Sequence, residues 1–148
     1  MIDEIVYPFE TLPDPMDVVW SFFPYDERRG LPATEPHPAI VFETYQFADG
    51  HYAVKVAYGT SSSRPRTNEG PHFVVSNFNA LQFAGLNRAT TFDLGRSKFL
   101  PWTSRWFASP DPTKYATPRI GCIRADGGGQ DVLREILRKR KSKGLPVP

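Results

Sequence analysis

A single cysteine, Cys122, leaves the chain without a partner for an internal disulfide, which excludes a disulfide scaffold. No apolar run approaches the roughly 18 residues that a membrane span requires. The longest are short groups such as Ala39 to Phe42 and Phe73 to Val75. The start, Met1-Ile-Asp-Glu-Ile-Val-Tyr-Pro8, carries neither the basic residues nor the apolar stretch of a secretory signal. The expectation is a cytoplasmic protein with no membrane partner. Only three histidines are present, His37, His51 and His72, and none has a second ligand at helical or Cys-x-x-Cys spacing, so no metal and no cofactor is expected. Gly127-Gly128-Gly129 precedes a helical pattern but lacks the Lys-Ser or Lys-Thr of a phosphate-binding loop. Ser61-Ser62-Ser63 lacks a nucleophile-elbow frame. Cys122, flanked by Ile120 and Ile123, reads as a structural thiol.

Eleven phenylalanines, six tyrosines and three tryptophans, in a chain of 148 residues that is 40% hydrophobic, can furnish one core. The predicted organisation is a single domain over 1–148, with an extended N-terminal segment at 1–15, a β-barrel core at 16–126, a helix at 130–143 and a tail at 144–148. Fifteen prolines and eleven glycines break the chain too often for a helical bundle. The stretches 16–23, 39–64, 72–100 and 119–145 are free of proline, and regular elements are expected there.

Tyr52, Val54, Val56 and Tyr58 alternate with His51, Ala53, Lys55 and Ala57, a period of two that marks a strand with one buried face. Asp49-Gly50 joins it to the β-rich run Ala39 to Phe47 as a hairpin. Further strands are predicted at Asp17 to Phe23, at Phe73 to Ser76 and within Ala89 to Leu100. Asn77 to Ala84, ahead of Gly85, reads as a short helix. Asp131 to Lys143 reads as a second, with Val132, Leu133, Ile136 and Leu137 on its apolar face and Arg134, Arg138, Lys139, Arg140, Lys141 and Lys143 on an exposed basic side. Trp20, Trp102 and Trp106 are assigned to the core, and His72 to a structural role. The fold class is mainly β (α+β): a small curved β-barrel with a short internal helix and a C-terminal helix.

The charges are segregated. Residues 1–50 hold ten acids against two bases, and residues 51–148 hold sixteen bases against six acids, which points to an anionic partner for the basic part.

Three segments at strand edges carry the chemistry: Leu12-Pro-Asp-Pro-Met-Asp-Val-Val-Trp20, Pro36-His-Pro-Ala-Ile-Val41 and Tyr58-Gly-Thr-Ser61. Their order and spacing resemble the MazF/PemK family of toxins from type II toxin–antitoxin systems, in particular the longer PemK-like branch, to which Ala84-Gly-Leu86, Thr91-Phe-Asp-Leu94 and Leu100-Pro-Trp102 are also similar. The resemblance implies an SH3-like barrel and a metal-independent endoribonuclease acting on single-stranded RNA. It further implies a homodimer and a cognate antitoxin. In that chemistry the ribose 2′-OH attacks the adjacent phosphorus and the 5′-oxygen leaves, so RNA is required.

Two positions depart from the family pattern. Met16 replaces a glycine, and His37 stands where the family has its catalytic arginine. His37 and Thr60 are the catalytic candidates, because imidazole can exchange a proton near neutrality and a strand-end hydroxyl can bond a phosphate oxygen. Arg28, Arg29, Ser61, Arg64 and Arg66 are the RNA-binding candidates, with Tyr25 as a base-stacking ring and Glu35 as a complementary proton donor. The alternative is a barrel that lost catalysis with the arginine and binds RNA or a protein partner.

Overall fold

The computed structural model describes residues 4–25, 30–61, 69–109, 117–123 and 128–148. Its strands are β1 (Asp17–Ser21), β2 (His37–Gln46), β3 (Tyr52–Thr60), β4 (Phe73–Val75), β5 (Thr90–Pro101) and β6 (Arg119–Cys122), and its helices are α1 (Phe78–Ala84) and α2 (Gly129–Ser142). They form one antiparallel sheet in the order β4-β5-β3-β2-β1-β6, curled into a half-barrel. Nearly every element falls in a proline-free stretch. The exceptions are Pro38, at the start of β2 where a strand tolerates a missing N–H, and Pro101, at the end of β5.

Both faces of the sheet are covered. On the first, Val19, Ala39, Val41, Val54, Val56 and Leu100 pack with Tyr7, Trp102 and Phe107. On the second, Val18, Ile40, Ala57, Phe92 and Leu94 pack with Ala84 of α1 and Leu133 of α2. The central strands therefore read as continuous apolar runs. The expectation of one buried face for β3 is corrected: Ala53 and Ala57 are as buried as Val54 and Val56, because the helices cover the side that the small residues leave open.

The hairpin turns over three residues. Phe47 N–H donates to the His51 carbonyl at 2.8 Å, Gly50 N–H donates to the Phe47 carbonyl at 2.9 Å, and Gly50 has φ of 88°, the conformation that glycine adopts without penalty. The Asp49 carboxylate accepts from the His51 N–H at 3.0 Å and lies 2.9 Å from His51 Nδ1. These bonds hold its carboxyl below the usual range.

Strand β6 was not foreseen, being four residues interrupted by Gly121. The glycine is needed because a Cβ there would lie 2.3 Å from the Phe83 carbonyl oxygen, and one at Gly85 would lie 2.0 Å from that of Ile120. The end of α1 thus rests backbone to backbone on β6. Asn77 caps α1, accepting from the Ala80 N–H at 2.9 Å, and Gly85 ends it at φ of 72°. The N-terminal segment is integral to the core. Tyr7 is buried, its N–H donates to the Trp102 carbonyl at 3.1 Å, and its hydroxyl donates to the Phe107 carbonyl at 2.9 Å. Of the three tryptophans Trp102 is buried, whereas Trp20 and Trp106 are half-buried.

Two assignments on α2 are corrected. Val132 is 52% exposed, and Arg140 has no exposed surface. Arg140 Nε donates to the Pro146 carbonyl at 2.9 Å, and its Nη1 donates to the carbonyls of Glu69 and Pro71. Burial pushes the guanidinium down from its ordinary range, and Asp93 and Glu69 pull it back. This side chain fastens α2 to the second face. The rest of the basic side is as expected, with Arg134 bonded to Asp131 and Gln130 and Arg138 paired with Glu135.

Candidate functional site

At one end of the first face four side chains meet. His37 opens β2, paired with Ser21 of β1, and Tyr58 of β3 stands opposite Ala39. The ring centroids of His37 and Tyr58 are 5.3 Å apart and inclined at 49°. Phe23, just beyond β1, packs on the same tyrosine at 5.5 Å. Arg96 of β5 lays its guanidinium over both rings, 4.6 Å from the centre of Tyr58 and 5.2 Å from that of Phe23, a cation–π arrangement. Its Nη2 donates to the Pro24 carbonyl at 3.1 Å.

The placement of Arg96 follows from a defect in the β3–β5 ladder. Ala57 pairs with Ser97 and Gly59 pairs with Phe92, so Asp93 to Arg96 stand against the single residue Tyr58. A bulge of this size bends the strand and re-aims its side chains. Leu94 turns into the second-face core, Asp93 is fully buried, and Arg96 turns onto Tyr58.

The imidazole of His37 is half-buried, its Nδ1 is shielded from solvent without a hydrogen-bond partner, and the ring makes no hydrogen bond among the described residues. Nε2 is then the nitrogen open to a substrate. An orphaned buried polar atom costs stability and asks for an explanation, and functional sites are where such conflicts are retained.

The β2–β3 ladder ends at the Ala39–Tyr58 pair, and past it Gly59 comes close to Pro38, with Thr60 and His37 one residue further on along each strand. Gly59 permits this approach: a Cβ on it would lie 2.6 Å from the Pro38 carbonyl oxygen and 2.7 Å from the Phe92 ring. Thr60 is half-buried at the end of β3, and Ser61 follows it, exposed. Glu35 is exposed and makes no ion pair or hydrogen bond with His37 among the described residues. Tyr25 is half-buried with its hydroxyl 3.5 Å from that of Thr34. Arg28, Arg29, Arg64 and Arg66 lie outside the described residues.

Sequence reasoning missed Tyr58 and Arg96 as site residues. The period-two pattern marked Tyr58 as one more core position, and no spacing rule announces the bulge that delivers Arg96. The other two histidines are accounted for elsewhere. His51 pairs with Asp49 in the hairpin turn, and His72 Nδ1 accepts from the Leu94 N–H at 3.2 Å within the buried face, 3.7 Å from Asp93 Oδ1. A cleft of about 440 Å³ lies elsewhere, between β4, α1 and the start of α2, lined by residues such as Val75, Asn77, Phe83 and Val132. Among the described residues its lining contains no titratable side chain.

What the fold and the site define is a curled antiparallel half-barrel with a His–Tyr–Arg cluster at its strand ends. Comparison with the models of known families, with curated proteins and with solved structures gives no match.

Proposed function

We propose that this chain is an endoribonuclease on an SH3-like barrel, similar to the MazF/PemK toxins, cleaving single-stranded RNA by 2′-OH attack with His37 in place of the family arginine. The observation that carries the reading is the half-buried His37 imidazole, without a hydrogen bond among the described residues, beside the guanidinium of Arg96 over Tyr58. Cleavage of this type needs an acceptor for the 2′-OH proton and donors for the charge that builds on the phosphate. His37 supplies the first. Arg96, held face-on by Tyr58 and Phe23, and the Thr60 hydroxyl supply the second, and Ser61 lies beside them for the RNA backbone. Met16 adds support: at the position where the family has glycine it adopts φ of 71°, a conformation that costs an ordinary L-residue about 1–2 kcal/mol.

In this reading the partners are single-stranded RNA, an antitoxin protein and a second copy of the chain, and the compartment is the cytoplasm. The test is cleavage of a long RNA in EDTA by wild type, His37→Ala and Thr60→Ala, with the product ends identified. Cyclic phosphate ends from wild type alone support the reading; equal cutting by all three, or by none, removes it.

A second reading, a barrel that binds RNA or a protein without cleaving, is favoured by a different surface. The Tyr45 ring lies 5.2 Å from that of Phe47 and 6.3 Å from that of Phe99, each of the three roughly half exposed, with Lys55 Nζ 5.5 Å from the Phe99 ring centre. Exposed rings flanked by a cation suit base stacking. Binding of RNA without cleavage, lost on Tyr45→Ala and Phe99→Ala, would select this reading.

A further inference from the structure

The cleavage reaction needs a proton donor for the departing 5′-oxygen, and neither Glu35 nor Thr60 is placed as a convincing one. We propose that Tyr58 is that donor. The inference rests on the nuclease reading above and assigns its second acid–base group.

Tyr58 lies with His37 on one face of the sheet, near one end of the central strands β2 and β3, their rings 5.3 Å apart, so the two groups can flank one phosphodiester. The phenol ring is half-buried between Phe23, His37 and Arg96, and its hydroxyl makes no hydrogen bond among the described residues. That differs from Tyr7, whose hydroxyl is consumed by the Phe107 carbonyl. A tyrosine needed only for packing leaves such an oxygen without a task. The contacts with Phe23, His37 and Arg96 fix the ring's direction, as proton transfer demands.

The step balances as follows. His37 Nε2 takes the proton of the 2′-hydroxyl, the 2′-oxygen forms its bond to phosphorus, and the bond from phosphorus to the 5′-oxygen breaks. The Tyr58 hydroxyl gives its proton to that oxygen. The products are a 2′,3′-cyclic phosphate and a 5′-hydroxyl. Tyr58 is then reprotonated by solvent, and His37 releases its proton to solvent, so no proton is gained or lost.

The test compares two oligonucleotides built around a linkage that the wild-type protein cuts, one with the natural 5′-oxygen and one with a bridging 5′-sulfur, which departs without a proton. Tyr58→Phe removes one atom that holds nothing in place, so folding, checked by its thermal transition, is expected to persist. The expected result is a fall of about 10²–10⁴-fold on the oxygen linkage with near wild-type cutting of the sulfur linkage, and partial recovery in Tyr58→His, which keeps a proton donor. Wild-type cutting of the oxygen linkage by a folded Tyr58→Phe, or an equal loss on both linkages, overturns the proposal. Should Tyr58→Phe not fold, the same oxygen-to-sulfur comparison in Tyr58→His decides, a sulfur preference larger than that of wild type supporting the role and one equal to it refuting the role. If wild type cuts no RNA, the nuclease reading itself is lost, an outcome distinct from failure of the tyrosine assignment alone.

Discussion

Arg140 reaches from the buried side of α2 to the carbonyl of Pro146, holding the C-terminal tail against the helix it follows, while its other arm binds the backbone of Glu69 and Pro71 ahead of β4. One side chain thereby joins three segments, with Asp93 as the nearby counter-charge. Removing it strands three carbonyls and a buried carboxylate. Arg140→Ala is expected to destabilise the fold by about 3–5 kcal/mol, read as a lower urea midpoint at an unchanged slope. Arg140→Lys should recover only part of this, because an ammonium cannot serve three carbonyls with a planar fork. A loss below about 1 kcal/mol would contradict the anchoring role.

The same residue shows how far the sequence could be read. Leu133, Ile136, Leu137 and Arg140 fall at helical spacing on one face, a signal for a buried Arg140 that its assignment to the basic side by charge left unused. The hairpin and the Gly85 stop were legible because each rests on local backbone chemistry, whereas Asn77, read as the first residue of the helix, is its cap. His37 and Thr60 were legible as strand-end residues. Tyr58 and Arg96 were not, since their meeting depends on four residues of β5 standing against one of β3, a property of the pairing and not of either strand. Strand β6 escaped for a related reason: its glycine is set by the backbone of α1, which is remote in sequence.

Gly59 lies between the two site residues of β3 and touches two neighbouring strands. A Cβ there would press into the Pro38 carbonyl at 2.6 Å and the Phe92 ring at 2.7 Å. Neither can retreat, since Phe92 is fully buried and Pro38 is held in the sheet. Gly59→Ala is expected to cost about 1–3 kcal/mol as overpacking and to displace Tyr58 and Thr60. Gly50→Ala, with nothing near its Cβ but φ of 88°, should cost about 1–2 kcal/mol and leave any cleavage activity unchanged. Thermal unfolding of both, beside RNA cleavage, separates a strain confined to the turn from one that reaches the site.

Tyr7 supplies a test at alkaline pH. Burial raises its phenol above the ordinary value of 10.0, because the anion would be desolvated. A raised acid stabilises the fold while it stays protonated. This contribution is therefore fully present below about pH 10 and is lost as pH rises from there toward the folded-state value. Wild type should lose stability through that window more steeply than Tyr7→Phe, as measured by denaturant midpoints at a series of pH values. Parallel curves would show that Tyr7 does not carry the effect.

His37 offers the sharpest separation of stability from chemistry. Its ring makes no hydrogen bond among the described residues and leaves Nδ1 buried and unpaired, so the fold gains little beyond its contact with Tyr58. Replacing it should change stability by less than about 1 kcal/mol. If it is the proton acceptor of the reaction, the same change should slow RNA cleavage by about 10²–10⁴-fold. His37→Asn preserves shape and hydrogen-bonding capacity without a titratable nitrogen and serves as the cleanest variant. His37→Arg discriminates further: arginine stays charged and cannot accept the proton, and it would face the like charge of Arg96 across Tyr58. Cleavage should therefore fall in His37→Arg as well. A rise would mean that the site works through a cation at this strand end, as the resembling toxins do, and that the histidine is a weakened substitute for it.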